Sequence, residues 1–520
     1  MMNTSISLPR RTFAVISHPD AGKSTLTEAL ALHADALDEA GAVHGKRGRR
    51  ATVSDWMDME KARGISVSST ALQFTYRDHV LNLVDTPGHA DFSEDTYRVL
   101  SAVDCAIMLV DAAKGLEEQT LKLFRVCAQR GIPIITVINK WDRPGMEPLE
   151  LMDEIERDIN VQPTPLTWPV GIAGEFRGVL ERSSGDFVQY EKTPGGATKA
   201  QQQRRTAAEA QDLVPDEWTT AHDEAGLLEA VEATHDQQRF LAGESTPVLF
   251  ASALLNFGVS HLLDTLVELA PGPAPAVTVS GDLRGLDEPF SAMVFKVQAG
   301  MDPAHRDRLA FARVQSGMFE RGMTVTHVPT GRPLTTKHAT VVFGRERSTV
   351  EQAVPGDIIG LVNSSELAVG DTISATPVVE YPRIVRFNPE HFAVARARDT
   401  GRFKQFRSGI EQLDHEGAIQ VLRSDLRGNQ APVLAAVGPM QFDVVKARME
   451  HEFRTVIDLE TLPYSLAREV TTEQAPVVNR ERNAEVLHRS DGTLLALFSD
   501  KWRAQAITRA HPDLGLVLTD

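Results

Sequence analysis

Along the first part of the chain, short fully apolar runs alternate with stretches whose apolar residues recur at helical spacing. Farther on the runs shorten and are broken by turns. The run Phe13-Ala14-Val15-Ile16 predicts a buried strand that empties into a turn at His18, Pro19, Asp20, Ala21 and Gly22. Residues 23–37 follow with Leu26, Leu30 and Leu37 on one face and predict a helix. Residues 68–76 and 80–85, joined at Arg77-Asp78, read as a hairpin. Strand 105–111, helix 117–130 and strand 133–138 come next, and the alternation returns with strand 247–254 and helix 258–269. Such alternation predicts a parallel sheet covered on both faces, with ligands collecting at the carboxyl ends of its strands.

Two stretches interrupt this pattern. Residues 41–63 are polar, with a basic cluster (His44, Lys46, Arg47, Arg49, Arg50) ahead of Asp55, Asp58 and Glu60. They read either as a loop or as a switch segment ordered by a terminal phosphate, its basic cluster turned to a nucleic-acid backbone. Residues 160–246 fit the alternation poorly and read as an insertion subdomain. The linker Pro271-Gly-Pro-Ala-Pro-Ala276 then marks a boundary. Residues 280–378 hold short β-type runs, with Val354-Pro-Gly-Asp-Ile and Val369-Gly-Asp-Thr-Ile as barrel corners. From 383 onward strands mix with two amphipathic helices. The first carries Phe403, Phe406, Ile410 and Leu413; the second opens at Pro439 and carries Val444, Val445 and Met449. The tail, with Leu494 to Phe498 and Trp502, is expected to complete that α+β unit.

A chain of 520 residues needs more than one core. Its net charge of −17 argues against a general basic field that would coat naked DNA or RNA, and a local basic patch stays open. Cys105 and Cys127 lie in apolar segments and read as core residues. The start lacks a signal-peptide pattern and the apolar runs are strand-length, so a cytoplasmic protein with no membrane partner is expected.

Chemistry concentrates in the loops after the strands. Ser17-His18-Pro19-Asp20-Ala21-Gly22-Lys23-Ser24-Thr25 has the form of a phosphate-binding loop, with Ser17 where the usual pattern has Gly. Its backbone N–H groups face an anion, Lys23 reaches the terminal phosphates and the Ser24 hydroxyl ligates Mg2+. The competing reading is a plain strand-turn-helix with a lysine cap. Asp85, closing its strand, stands where a carboxylate behind that ion belongs; Thr86, Pro87, Gly88 and His89 follow, and Gly88 permits a turn that senses the γ-phosphate. Asn139-Lys140-Trp141-Asp142 reads the base: the Asp142 carboxylate accepts from the guanine N1–H and 2-amino group, donors that adenine lacks. Ser252-Ala253-Leu254 can close over the guanine O6. GTP and GDP are the expected nucleotides.

The set Asp20-Ala-Gly-Lys-Ser, Arg63-Gly-Ile-Ser66, Asp85-Thr-Pro-Gly-His89 and Asn139-Lys-Trp-Asp142 resembles the translational GTPases. Ser17-His-Pro-Asp-Ala-Gly-Lys, the run from Phe295 to Arg308 and Val437-Gly-Pro-Met-Gln-Phe-Asp-Val-Val further resemble the bacterial class II peptide-chain release factors, over nearly the whole chain. The resemblance implies a multidomain fold: an α/β P-loop GTPase domain over 1–277 with an insertion at about 160–246, a β-barrel domain over 280–378 and an α+β domain over 383–520. It implies catalytic roles for Lys23, His89 (orienting the attacking water) and Asp20 (holding a monovalent cation or stabilising charge). It also implies Mg2+ on Ser24 and Ser66 with Asp85 behind. The implied function is a ribosome-dependent GTPase of termination, acting as a monomer, that drives class-one release factors off the ribosome, with ribosomal RNA and proteins as partners. Two alternatives stay open: an elongation factor G-like translocase, which the chain's lack of further domains disfavours, and a regulatory GTPase switch that never meets a ribosome.

Overall fold

Phe13 and Val15 of strand β1 (Arg10–Ser17) face one layer of helices, while Ala14 and Ile16 face the other. This two-sided burial is what a strand inside a parallel sheet requires. The structure, a computed structural model, describes residues 4–36, 71–87, 89–191, 198–299, 308–343, 346–362, 366–384, 386–424 and 431–515. The first sheet is built from β1, β2 (Ala71–Tyr76), β3 (His79–Asp85), β4 (Cys105–Asp111), β5 (Ile134–Asn139), β6 (Gln162–Pro165) and β7 (Ser245–Phe250). Their order is β2-β3-β1-β4-β5-β7-β6, with only the edge pair β2–β3 antiparallel. Helices α1 (Lys23–His33) and α5 (Val259–Leu269) cover one face through Leu26, Leu30, Leu262 and Leu266. Helices α3 (Glu118–Arg130) and α4 (Pro148–Ile159) cover the other through Leu123, Phe124, Leu151 and Ile155. Helix α2 (Ser93–Leu100) adds Val99 and Leu100 to that second face.

Cys105 and Cys127 are both buried free thiols, and burial pushes both thiols up. Helix α1 stops at His33. Leu37, the segment 41–63 with its basic cluster, and Ser66 lie outside the described residues.

Within the stretch expected to be an insertion, Gln162–Pro165 joins the main sheet as β6 beside β7. A separate four-stranded antiparallel sheet follows from Thr167–Val170, Gly178–Glu181, Asp186–Tyr190 and Gln202–Arg205. It is covered by the helices Ala207–Leu213 and Pro215–Ala230, whose Trp218 meets Phe187 at 5.8 Å between ring centres.

Beyond the linker, eight antiparallel strands including Ser291–Ala299, Arg308–Ser316 and Ile358–Val362 form the β-barrel unit around Val294, Ala312, Phe319 and Ile359. The last unit is a seven-stranded antiparallel sheet with helices α6 (Phe403–Glu416), α7 (Met440–His451) and α8 (Lys501–Ala510). Phe406, Ile410 and Leu413 of α6 pack with Val445 and Met449 of α7 in one core. Leu494–Phe498 is an inner strand of that sheet, but Trp502 is 80% exposed and adds nothing to the core. Ala504 and Ile507 are the α8 residues that turn inward, and Trp502 lies on the opposite side of the helix.

The turn Val354-Pro-Gly-Asp357 locks the barrel to the first sheet. Thr12 Oγ1 donates to Gly356 O at 2.7 Å, and Asp357 takes both ends of the Arg10 guanidinium at 3.2 Å. Helix α2 is held by the last unit: Arg98 Nη1 donates to Gly417 O at 3.2 Å and Gln420 Nε2 to Glu94 Oε2 at 3.3 Å.

Candidate functional site

The motif loops meet where they must in such a sheet, at the carboxyl ends of β1, β3, β5 and β7. After β1 the chain turns with positive φ at Asp20 (67°) and Gly22 (98°), and Leu26 N returns to Gly22 O at 2.9 Å as α1 begins. Gly22 is required twice. Its backbone is left-handed, and an added Cβ would strike the Asn139 amide. The loop thereby ends in a helix N-terminus whose N–H groups and dipole suit an anion. Ser17 is buried and donates to His18 O at 2.9 Å, so a serine here closes the loop from below. Pro19 is half-buried, Asp20 is exposed, and Ser24 and Thr25 are half-buried in the first turn of α1.

Lys23 Nζ stands 3.5 Å from Asp85 Oδ1, both side chains buried. The carboxylate is oriented by Thr86 N at 3.0 Å, and Thr86 Oγ1 is pinned to Val15 O at 2.7 Å, so the two loops keep one spacing. Pro87 is buried and accepts from Thr96 Oγ1 at 3.3 Å; Gly88 lies outside the described residues. His89, about one-third exposed, sets its Nδ1 3.1 Å from Asp91 Oδ1.

Asn139 ties the phosphate loop to the base loop. Its Nδ2 donates to Ala21 O at 2.8 Å, and its Oδ1 accepts from Ala253 N at 2.9 Å. Lys140, at φ 66°, pairs with Asp111 Oδ2 at 2.7 Å. Burial pushes the Asp111 carboxyl up, and the bonds from Lys140 and the Ala113 N–H, with the nearby positive charge, together more than offset it, leaving the group below its ordinary value. Trp141 is fully buried against Phe250, with ring centres 4.9 Å apart, and fixes the loop's backbone. Asp142 Oδ1 accepts from Ser252 Oγ at 2.5 Å, and its Oδ2 lies 3.8 Å from Arg143 Nε. Ala253 is buried, while Leu254 is 45% exposed.

Three contributors escape the motif reading. Asp111 closes β4 as Asp85 closes β3, and that position is its signal. Glu117 holds the phosphate-loop His18 through Nε2 at 2.7 Å; burial lowers the imidazole's pKa and Glu117 opposes that. Asp91, two residues past His89, joins that loop to the third unit: its Oδ2 accepts from Met440 N at 2.6 Å.

Comparison with known proteins follows the same division of the chain. Residues 8–272 match the elongation factor Tu GTP binding domain, residues 289–376 match elongation factor G domain 2, and residues 381–508 match the C-terminal domain of class II release factor RF3. The peptide chain release factor 3 of Gloeobacter violaceus is 47% identical over 511 residues, covering 97% of this chain and 96% of that protein. The chain belongs to the peptide chain release factor 3 family. The Synechococcus elongatus member is 46% identical, covering 98% of this chain and 92% of that protein. A crystal structure from Thermus thermophilus shares the fold with a TM-score of 0.70 at 22% identity, covering 89% of this chain and 69% of that one. Family membership makes the chain a guanine-nucleotide-binding GTP hydrolase of translation termination. Among the described residues, no helix is long and apolar enough to cross a membrane.

Proposed function

We propose that the chain is a ribosome-stimulated GTPase of the cytoplasm that, in its GTP form, drives class-one release factors off the ribosome after peptide release. The observation that supports this most is the Asn139 side chain, which joins the phosphate loop at Ala21 to the base loop at Ala253 and so makes one pocket for both ends of a guanine nucleotide.

In this reading the N–H groups of residues 20–24 bind the phosphates, and Lys23 neutralises charge that builds on the transferring phosphoryl group. The Ser24 hydroxyl and Asp85 carboxylate are hard oxygen donors of the kind Mg2+ takes, and Ser66 adds a third from outside the described residues. Bound there, the ion supplies further charge neutralisation between the phosphates. Asp142, steadied by Ser252, accepts two donors from guanine; adenine would leave a carboxylate unpaired at a cost of about 1–3 kcal/mol or more. Ser252, Ala253 and Leu254 close over the other edge of the base. His89 orients the attacking water, and exposed Asp20 stabilises charge at the mouth of the loop. Loss of the γ-phosphate relaxes the switch segments and lets the protein leave the ribosome as a monomer.

The test is to add the protein with GTP to ribosomes carrying a class-one release factor and to time that factor's departure. Departure is expected to accelerate severalfold over ribosomes alone. An unchanged dwell time would refute the termination role.

A further inference from the structure

Helix α7 begins without a side-chain cap from Pro439; the Gln441 and Phe442 N–H groups bond to Gly438 O at 3.2 Å and Pro439 O at 3.1 Å, and the Met440 N–H finds its partner elsewhere. Gln441 Oε1 turns back to Val437 N at 2.7 Å and Gly438 N at 3.2 Å. The Met440 N–H is met from another domain, by Asp91 Oδ2 at 2.6 Å. The other oxygen of the same carboxylate lies 3.1 Å from His89 Nδ1, and the Asp91 backbone N–H donates to that nitrogen at 3.3 Å. One side chain, 13% exposed, therefore touches both the imidazole and the third domain.

Gly438 makes this approach possible. A Cβ at that position would fall on the Asp91 carboxyl group, so even alanine there displaces Asp91. The neighbouring clamp reinforces the seat. Arg98, paired with Glu94 at 2.5 Å and Asp95 at 2.8 Å, reaches Gly417 O, where an added Cβ would collide with the guanidinium. The segment that starts at His89 is thus gripped at Asp91, Glu94 and Arg98 by the third domain.

We propose that Asp91 is a positioning residue that couples the His89 imidazole to the first turn of α7, so that turnover depends on the third domain being seated on the first. The inference rests on His89 orienting the attacking water. With the Asp91 N–H donating to Nδ1 and the Asp91 carboxylate beside it, Asp91 fixes the orientation of the ring and thereby where Nε2 meets the attacking water. A shift of the third domain draws on the Asp91 carboxylate and turns the ring, which gives contacts made far from the nucleotide a route to the reacting centre.

The test compares full-length Asp91→Ala, Gly438→Ala, His89→Ala and the double variant Asp91→Ala/His89→Ala in ribosome-stimulated hydrolysis, with GTP affinity measured beside it. Both Asp91→Ala and Gly438→Ala should lose about tenfold or more in kcat while KM for GTP stays within about twofold. The double variant should be no slower than His89→Ala. Should Asp91→Ala unfold, Asp91→Asn keeps an acceptor for Met440 and is expected to lose kcat in the same sense. Wild-type kcat in Gly438→Ala and the Asp91 variant, a loss explained by GTP affinity, or additive losses in the double variant would each overturn the coupling. Wild-type turnover in His89→Ala would overturn the His89 assignment instead.

Discussion

The Arg10 guanidinium meets the Asp357 carboxylate through two bonds of 3.2 Å each, across 347 residues and with both side chains buried. This pair fastens the first strand of the nucleotide-binding sheet to the barrel. Asp357 has further donors in Val354 N at 3.0 Å and Gln73 Nε2 at 3.3 Å, but no second cation contacts it among the described residues. Arg10→Ala leaves a buried carboxylate without its counter-charge, at a cost of about 3–5 kcal/mol. The expected outcome is a lower melting temperature and faster proteolysis in the linker 271–276, with Asp357→Leu in the same chain restoring much of the loss. Unchanged melting and proteolysis in Arg10→Ala would contradict it.

Asp142→Asn exchanges an acceptor for a donor at the base. Preference should pass from GTP to xanthosine triphosphate, whose base presents an oxygen where guanine has its amino group, with GTP affinity falling by roughly two orders of magnitude. Competition between the two nucleotides for the variant reads this directly. Retained GTP preference would remove Asp142 from the base site.

His89→Ala should bind GTP as the parent does and fail to hydrolyse it on ribosomes, because the residue's contribution is made in the transition state. Single-turnover hydrolysis separates the two steps. A variant that hydrolyses normally, or one that fails to bind, ends the assignment.

Stability should carry a pH signature from His33, at the end of α1. Burial, with Lys199 adding to it, brings this imidazole from 6.5 down to about 4. The unfolded chain then takes up the proton more readily than the folded one. Stability from this group is complete above about 6.5 and is lost as pH falls toward about 4, by up to about 3 kcal/mol. Denaturant unfolding of the parent and His33→Gln at pH 7 and pH 4.5 should show the parent losing more on acidification. Parallel losses would contradict the buried, neutral state of His33.

Which loops meet was legible in the sequence because each follows an apolar strand of a parallel sheet, and such strands present their following loops on one edge. Helix α6 was legible from periodicity, since Phe406, Ile410 and Leu413 fall on a buried stripe, and α7 from its start at Pro439 together with Val445 and Met449, which enter the same core. The clamps at Arg10–Asp357 and Asp91–Met440 were not, because their partners lie hundreds of residues apart and no local pattern encodes the pairing. Trp502 misled for the opposite reason. It was expected to complete the last unit with Leu494 to Phe498, whereas the helix's spacing gives the inward positions to Ala504 and Ile507. Asp111 could have been found by asking which other carboxylate ends an inner strand.

The central claim is a single pocket that takes a guanine nucleotide and refuses adenine. Titration calorimetry of the purified full-length chain with GDP and, separately, with ADP tests it most directly. The account predicts one saturable GDP site and no heat from ADP at the same concentrations; no uptake of GDP, or equal uptake of ADP, would contradict it.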